Sequence, residues 1–222
     1  MPSRAATFPT ALASVVPQVD RLYLYLDGHA DVPDLAKGDP RIIPILSRDC
    51  PNLRAYGKFL PLEIETGAFV YVGVDDDIRY PADYVASLRS GLRGHHDRAV
   101  VGYHGAILPR PLVRYTKGRT VFHFAEKLVQ QQVVDIVGTG TVMFFTGALR
   151  FDFRAWCHVN MADIYLAIEA SRARVPCICL QRGDGCLAAL AENQPDSCFA
   201  ALSRDDYRQT LLAQELLAGE SA

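Results

Sequence analysis

The sequence lacks a long hydrophobic run and an N-terminal signal segment. No stretch of about eighteen or more apolar residues occurs, because an aspartate and three glycines interrupt the most apolar segment, residues 133–149. We therefore expect no membrane-spanning helix. The opening residues MPSRAATFPT lack the apolar centre of a secretion signal, which predicts a cytoplasmic protein. Peripheral association at the inner face of the membrane is left open.

The sequence also lacks an excess of charge, internal repeats and low-complexity linkers. Its 23 lysines and arginines nearly balance its 25 aspartates and glutamates, so we expect no nucleic-acid partner. Half of the residues are hydrophobic, which is enough for a large core. The absence of a linker predicts a single domain that spans residues 1–222.

The six cysteines lack the paired spacing of structural zinc sites. Cys177 and Cys179 lie in an apolar run that predicts a strand, so both thiols should point to one face. We favour reduced, buried cysteines. The alternative is a zinc site made of Cys177, Cys179, Cys186 and Cys198.

Apolar, β-branched and aromatic runs alternate with helix-like patterns along the chain. The predicted strands are 21–26, 41–46, 68–74, 99–103 and 175–180, and the predicted helices lie in 10–16, 81–92, 161–168 and 204–218. Near-continuous apolar runs are typical of strands buried on both faces. We therefore predict an α/β fold with a mostly parallel central sheet and helices on both faces. Residues 105–149 are less regular and predict an insertion of loops and antiparallel strands over the sheet edge.

Three consecutive aspartates, Asp75, Asp76 and Asp77, follow the predicted strand 68–74 and precede Pro81, the expected first residue of a helix. Ligands of parallel α/β sheets bind beyond the carboxyl ends of the strands, where this triplet would lie. Adjacent carboxylates repel one another unless a cation compensates them. Oxygen ligands favour Mg²⁺ or Mn²⁺, so we predict a divalent metal site. The alternative is a solvated loop in which one aspartate caps the helix.

Residues 74–85 read VDDDIRYPADYV, which resembles the DDDI-x-YP-x-DYV segment of the family 2 glycosyltransferases, inverting enzymes with the Rossmann-like GT-A fold. The resemblance extends from about residue 2 to about residue 182 and is fairly specific as an ordered set. Its further matches are Pro2-Ser3-Arg4, Gln18-Val19-Asp20, Leu24-Tyr25-Leu26, Gly57-Lys58-Phe59, His104-Gly105, Gly138-Thr139-Gly140-Thr141 and Asn160-Met161-Ala162-Asp163.

The resemblance implies a role for several positions. Asp77 would bind the metal, with Asp75 near the ribose and Asp76 in the same nucleotide motif. Asp27 would approach the nucleobase, and Asp163 would be the catalytic base. The backbone of Pro2, Ser3 and Arg4 would border the nucleoside. The insertion at 105–149 would lie on the acceptor side.

The residues themselves suggest a pocket beside this motif. Gly138 and Gly140 lack the third glycine of a dinucleotide fingerprint, so we predict a tight turn that exposes Thr139 and Thr141 to the substrate. His104 could reach the same cleft or be structural. Lys58 could meet a phosphate or lie on the surface.

Asp163 has two interpretations on its residues alone. Asn160 is a good N-cap, and it would place Asp163 in the first turn of a helix, where an acid favours the helix dipole. A carboxylate there could equally accept a proton from an acceptor hydroxyl. The resemblance favours the catalytic base.

The predicted function is transfer of a sugar from a nucleoside-diphosphate sugar to a hydroxyl of a glycan or another acceptor, with inversion and with Mn²⁺ or Mg²⁺. One alternative is a truncated domain that binds a sugar or a partner without turnover, because the family places a first strand before Pro2. The other alternative is a sugar-phosphate nucleotidyltransferase, although the opening residues have none of the glycines that its phosphate loop needs.

Overall fold

The computed structural model describes residues 1–50, 53–191 and 205–219. Within these ranges the α-helices are α1 (Phe8–Val15), α2 (Pro61–Ile64), α3 (Tyr84–Gly94), α4 (Ala162–Arg172) and α5 (Tyr207–Gly219). Two short 3-10 helices, Pro2–Arg4 and Arg54–Phe59, also contribute residues to the site described below. No helix in the described ranges has the length and apolar character needed to cross a membrane.

The strands are short, and most have two to five residues. They are β1 (Leu22–Leu26), β2 (Ile42–Leu46), β3 (Val70–Val74), β4 (Ile78–Arg79), β5 (Val100–Gly102), β6 (Gly105–Ile107), β7 (Thr120–Phe122), β8 (Gln132–Val134), β9 (Ile136–Val137), β10 (Thr141–Phe145), β11 (Cys177–Cys179) and β12 (Ala188–Ala189). All five strands that the apolar runs predict are present. The expected alternation at 177–179 also places both cysteines in one core cluster.

The strands do not form the mostly parallel, Rossmann-like sheet that the sequence suggests, and that prediction is wrong. The largest sheet has the order β3-β10-β5-β11-β8, and only its β5–β11 pair is parallel. Strands β1 and β2 form a separate parallel pair, whereas β7-β6-β9 and β4-β12 are antiparallel. A near-continuous apolar run indicates burial on both faces, but it contains no information on strand direction.

Strand β10 is the element that most changes the predicted topology. It lies between β3 and β5 and runs antiparallel to both. Its residues, Thr141–Phe145, belong to the stretch 105–149 that was expected to cover the sheet edge. The three-stranded sheet β7-β6-β9 comes from the same stretch and is antiparallel, as expected there. Gly118 has a φ of +72° in the turn that precedes β7.

Helices cover both faces of the largest sheet. On one face, α4 contacts β9 and shares a buried cluster with Val142 and Phe144. On the other face, α3 packs on the alternate residues of the same strands, including Val101 and Met143. Apolar side chains on both faces of β10 explain why the whole strand reads as one apolar run.

Helix α3 begins three residues later than the sequence predicts, at Tyr84 rather than at Pro81. The side chain of Gln18 explains the start. Its amide nitrogen donates to the Pro81 carbonyl at 2.8 Å, and its amide oxygen accepts from the Val85 N–H at 3.0 Å. A side chain 67 positions earlier in the chain therefore satisfies a first-turn N–H.

The C-terminal helix α5 is anchored at its start by Asp206. The Asp206 carboxylate accepts hydrogen bonds from the Thr116 N–H (2.9 Å) and hydroxyl (2.5 Å) and from the Arg114 guanidinium (2.9 Å). Thr210 closes the anchor, because its hydroxyl accepts from the Tyr115 N–H at 3.0 Å. The helix was predicted at 204–218, and residue 204 lies outside the described residues.

Candidate functional site

A single large cleft contains most of the side chains that the sequence analysis singles out. Its volume is about 1040 Å³, which is at the upper end of the range for small-molecule sites. Pro2 and Ser3 do not line the cleft, although Arg4 from the same 3-10 helix does. The other predicted residues that line it are Asp27, Lys58, Asp75, Asp76, Asp77, His104, Thr139, Gly140, Thr141 and Asp163.

The three adjacent aspartates point to three different cations. The Asp75 carboxylate accepts from the Lys58 ammonium at 2.5 Å. The Asp76 carboxylate lies 3.2 Å from the amino group of Met1. The Asp77 carboxylate lies 3.9 Å from Nε of the buried Arg4, a distance beyond that of a hydrogen bond. The triplet is therefore not a simple solvated loop, and Asp77 has the weakest compensation of the three.

The environment of Asp77 disfavours its charge. Burial, followed by the charges of Asp75 and Asp76, raises the pKa of the Asp77 carboxyl to about 6, and Arg4 acts in the opposite direction. Its side chain remains 32 % exposed, so a ligand can reach it from the cleft. A cation bound beside Asp77 would offset this burial and repulsion and favour the ionised form of the carboxyl.

These aspartates fit a metal that takes most of its ligands from elsewhere. In the described ranges, no group of three or more histidine, cysteine, aspartate and glutamate side chains is arranged to hold a metal ion. Mg²⁺ commonly uses one or two carboxylates together with water and substrate phosphates. Asp77 meets that requirement, whereas Asp75 would have to release Lys58 before it could bind a metal.

A chain of hydrogen bonds joins the acidic triplet to Asp163. Lys58, bonded to Asp75, also donates to the Thr139 hydroxyl at 3.4 Å. The Thr139 hydroxyl in turn donates to Asp163 Oδ1 at 2.7 Å, and the Thr139 N–H donates to the same oxygen at 2.8 Å. The predicted base and the predicted nucleotide motif are therefore linked through two side chains, although 88 positions separate Asp75 from Asp163 in the chain.

Asp163 lies in the first turn of α4, as the sequence predicts, but the cap differs. Met161 is the N-cap, and Asn160 adopts a φ of +62° before the helix. Both hydrogen bonds to the Asp163 carboxylate end on Oδ1, and no described residue donates to Oδ2. That oxygen can therefore accept a proton or a hydrogen bond from a ligand.

The turn 138–141 leads into β10, and its two glycines lie against neighbouring side chains. A Cβ at Gly140 would overlap the Asp75 carboxylate, so only glycine fits beside the triplet. The Tyr80 hydroxyl donates to the Gly140 carbonyl at 2.7 Å and accepts from the Asp75 N–H at 2.8 Å. Tyr80 belongs to the motif at 74–85, but nothing in the sequence indicates that its hydroxyl makes this bridge.

Thr141 lines the cleft and also bonds to the backbone around it. Its side chain is buried, and its hydroxyl accepts from the His104 N–H at 3.0 Å and donates to the Gly138 carbonyl at 3.4 Å. Of the two threonines predicted to face the substrate, Thr139 is bonded to Asp163, and Thr141 fixes the backbone of His104.

The far wall of the cleft comes from residues that sequence reasoning missed, namely Tyr115, Arg119 and His123. The Arg119 guanidinium lies 4.7 Å from the centre of the Tyr115 ring, and the His123 ring meets the His104 ring edge to face at 5.4 Å. These residues lie in the irregular stretch 105–149, where no periodic pattern indicates which side chains converge.

His104 is neutral at physiological pH. Burial lowers the pKa of its imidazole to about 4, although the charge of Asp163 acts in the opposite direction. Its Nδ1 is buried without a hydrogen-bond partner among the described residues. His104 therefore contributes a neutral ring to the cleft, between Asp163 and His123.

Asp27 lines the opposite end of the cleft, beyond the carboxyl end of β1. Its carboxylate lies 3.9 Å from the Arg54 guanidinium.

Comparisons with models of known protein families and with curated proteins find no family and no protein that match this chain. The chemical case for a function therefore rests on the site itself.

Proposed function

We propose that this protein is a glycosyltransferase of the family 2 type, which moves a sugar from a nucleoside-diphosphate sugar to an acceptor hydroxyl with inversion. The observation that supports this most is the hydrogen-bonded chain that connects Asp75 and Lys58 through Thr139 to Asp163. It connects the Lys58 cation, which can bind a phosphate, with the Asp163 carboxylate, whose Oδ2 can accept a proton, and both lie in one cleft. In sugar transfer the donor sugar lies between the diphosphate and the acceptor hydroxyl, so the phosphate-binding cation and the general base must lie in the same cleft.

Asp163 is the proposed general base. Its Oδ1 is held by the Thr139 N–H and hydroxyl, which fixes the orientation of the carboxylate and leaves Oδ2 to accept the proton of the acceptor hydroxyl. The acceptor oxygen forms its bond to the anomeric carbon as the bond from that carbon to the diphosphate breaks. One such displacement inverts the anomeric centre.

Lys58 and Arg4 would bind the diphosphate on the other side of the turn. Both cations lie beside the triplet, at 2.5 Å from Asp75 and at 3.9 Å from Asp77. Asp77 would hold a divalent cation, which would stabilise the negative charge of the departing diphosphate. Asp27, near the carboxyl end of β1, is the proposed contact of the nucleobase.

The proposal is tested by the thermal stability of the protein with donor candidates. Uridine, guanosine and thymidine diphosphate sugars would each be added with and without Mn²⁺. We expect one donor to raise the melting temperature only when the metal is present, because a ligand that binds the folded state stabilises it. The Asp77→Asn variant should lose this rise.

Asp34→Asn is the matched control, since the Asp34 side chain is 98 % exposed and pairs with Lys37, away from the cleft. It should keep the full rise. Stabilisation by a nucleoside triphosphate together with a sugar phosphate would instead favour a nucleotidyltransferase. The absence of a shift with every donor would contradict the proposal and favour a domain that binds a sugar or a partner without turnover.

A further inference from the structure

The acceptor end of the cleft contains an arginine, Arg119, that has no counter-ion among the described residues. Arg119 lies over the ring of Tyr115 and lines the cleft, and no carboxylate of a described residue is within ion-pair distance of it. Most other arginines around the site are paired, as Arg4 is with Asp77 and Arg54 is with Asp27. The Arg119 guanidinium also interacts with the Tyr115 side chain through a hydrogen bond, and since a guanidinium has five N–H donors, others remain for a planar or tetrahedral oxyanion.

A second arginine increases the positive potential of this end. Arg182 is buried, and its guanidinium donates to the backbone carbonyls of Phe124 (3.1 Å), Leu180 (3.1 Å) and His123 (2.5 Å). None of the described carboxylates pairs with it. Carbonyl dipoles satisfy its donors but do not cancel its charge, so its field extends to the neighbouring His123 in the cleft wall.

The remaining groups at this end do not neutralise the two arginines. His104 is neutral, and Tyr115 is a buried phenol. Two described carboxylates lie near this region, and both are engaged: Asp163 Oδ1 accepts from Thr139, and Asp206 accepts from Thr116 and Arg114. A neutral sugar acceptor would leave the Arg119 charge without a partner in a partly desolvated cleft, which is unfavourable.

We propose that the acceptor bears an oxyanion, a carboxylate or a phosphate, which Arg119 binds while the reactive hydroxyl faces Asp163. This inference rests on the proposed transfer function for the roles of donor and acceptor. It specifies the chemical class of the acceptor. A uronic acid residue and a sugar phosphate both carry such an oxyanion, and the experiment below distinguishes between them.

The test measures the binding of small acceptor analogues by titration of the protein followed by NMR. Methyl glucuronide supplies the carboxylate, methyl glucoside 6-phosphate the phosphate, and methyl glucoside is the neutral reference. We expect at least one anionic analogue to bind about tenfold more tightly than the neutral one, since a charge-assisted pair with a guanidinium is worth about that factor. The stronger of the two identifies the source of the oxyanion.

Three variants assign the effect to the residue. Arg119→Gln should remove the preference for the anion, and Arg119→Lys should keep part of it. Lys117→Gln removes an exposed positive charge two positions away that does not line the cleft, so it should keep the preference unchanged. A preference below about twofold in the wild type, or one that persists in Arg119→Gln, would overturn the inference.

Donor binding measured on the same variants separates this inference from the proposed function. Metal-dependent donor binding without an anion preference would overturn the acceptor assignment alone. An anion preference without any donor binding would support the Arg119 site and contradict nucleotide-sugar transfer. Loss of donor binding in Arg119→Gln would place the arginine at the diphosphate and overturn the inference.

Discussion

Replacement of Asp206 by asparagine should destabilise the protein in a way that depends on pH. Asparagine keeps the shape of the side chain but cannot accept all of the hydrogen bonds that the carboxylate receives from Thr116 and Arg114. The hydrogen bond from the Thr116 hydroxyl is the main cause that lowers the pKa of Asp206 from 3.8 to about 2. The folded protein therefore favours the ionised form.

The size of the effect follows from that change in proton affinity. A pKa lowered from 3.8 to about 2 corresponds to about 2.5 kcal/mol of stability at neutral pH, because each unit of pKa is worth about 1.4 kcal/mol. The Arg114 side chain is 53 % exposed, so solvent screens its contribution and the value is an upper limit. Since the folded pKa is the lower one, the stabilisation is complete above about pH 4 and disappears as the pH falls through 2.

Urea denaturation of the wild type and Asp206→Asn at several pH values measures this directly. The difference in the free energy of unfolding should be about 2 kcal/mol at pH 7 and about half of that at pH 3. Asp34→Asn, which alters an exposed carboxylate, should leave the free energy of unfolding close to the wild-type value at every pH. Equal stability of wild type and Asp206→Asn at pH 7, or a difference that is constant down to pH 3, would refute the reasoning.

Three further predictions concern the cleft. Thr139→Val, which removes the hydroxyl bonded to Asp163, should lower sugar transfer by about tenfold or more, whereas Thr139→Ser should retain most of it, as initial rates with the identified donor will show. Gly140→Ala should abolish the metal-dependent rise in melting temperature caused by the donor, because its methyl group overlaps the Asp75 carboxylate. The stability of the wild type relative to His104→Gln should decrease as the pH falls from 6.5 to about 4, because folding lowers the pKa of His104 and the unfolded chain takes up the proton first. His104→Gln should lack that part of the pH dependence in urea titrations. The raised pKa of Asp77 acts in the opposite direction in both proteins and therefore cancels in this comparison.

The local elements could be predicted because their signals are local. The run that contains Val70–Val74 and the one that contains Cys177–Cys179 are short and apolar, and both form strands. The start of α3 could not be predicted from its own residues, because the Gln18 side chain sets it from a distant part of the chain. Strand direction also depends on tertiary pairing, which an apolar run does not encode.

The candidate site shows the same division. The acidic triplet can be recognised from the sequence, since three adjacent carboxylates at a strand end need cations to compensate their charge. Asp163 has an ordinary structural explanation in the first turn of a helix, and only its contact with Thr139 distinguishes it. Arg119 and Tyr115 lie in a stretch without periodicity, so nothing in the sequence indicates that they meet across the cleft from Asp163.

The error in strand direction and the arrangement of the site have one cause. Because β10 runs antiparallel to β3 and β5, its first residues lie at the carboxyl ends of both, with Thr141 opposite Val74 and Val142 opposite Gly102. The turn 138–141, which precedes β10, therefore lies at the edge of the sheet where the acidic triplet begins. A parallel strand in this place would begin at the opposite edge, and Thr139 could not join Lys58 to Asp163. The antiparallel direction of β10, which the apolar pattern does not reveal, therefore positions Thr139 to connect the proposed base on α4 with the acidic triplet.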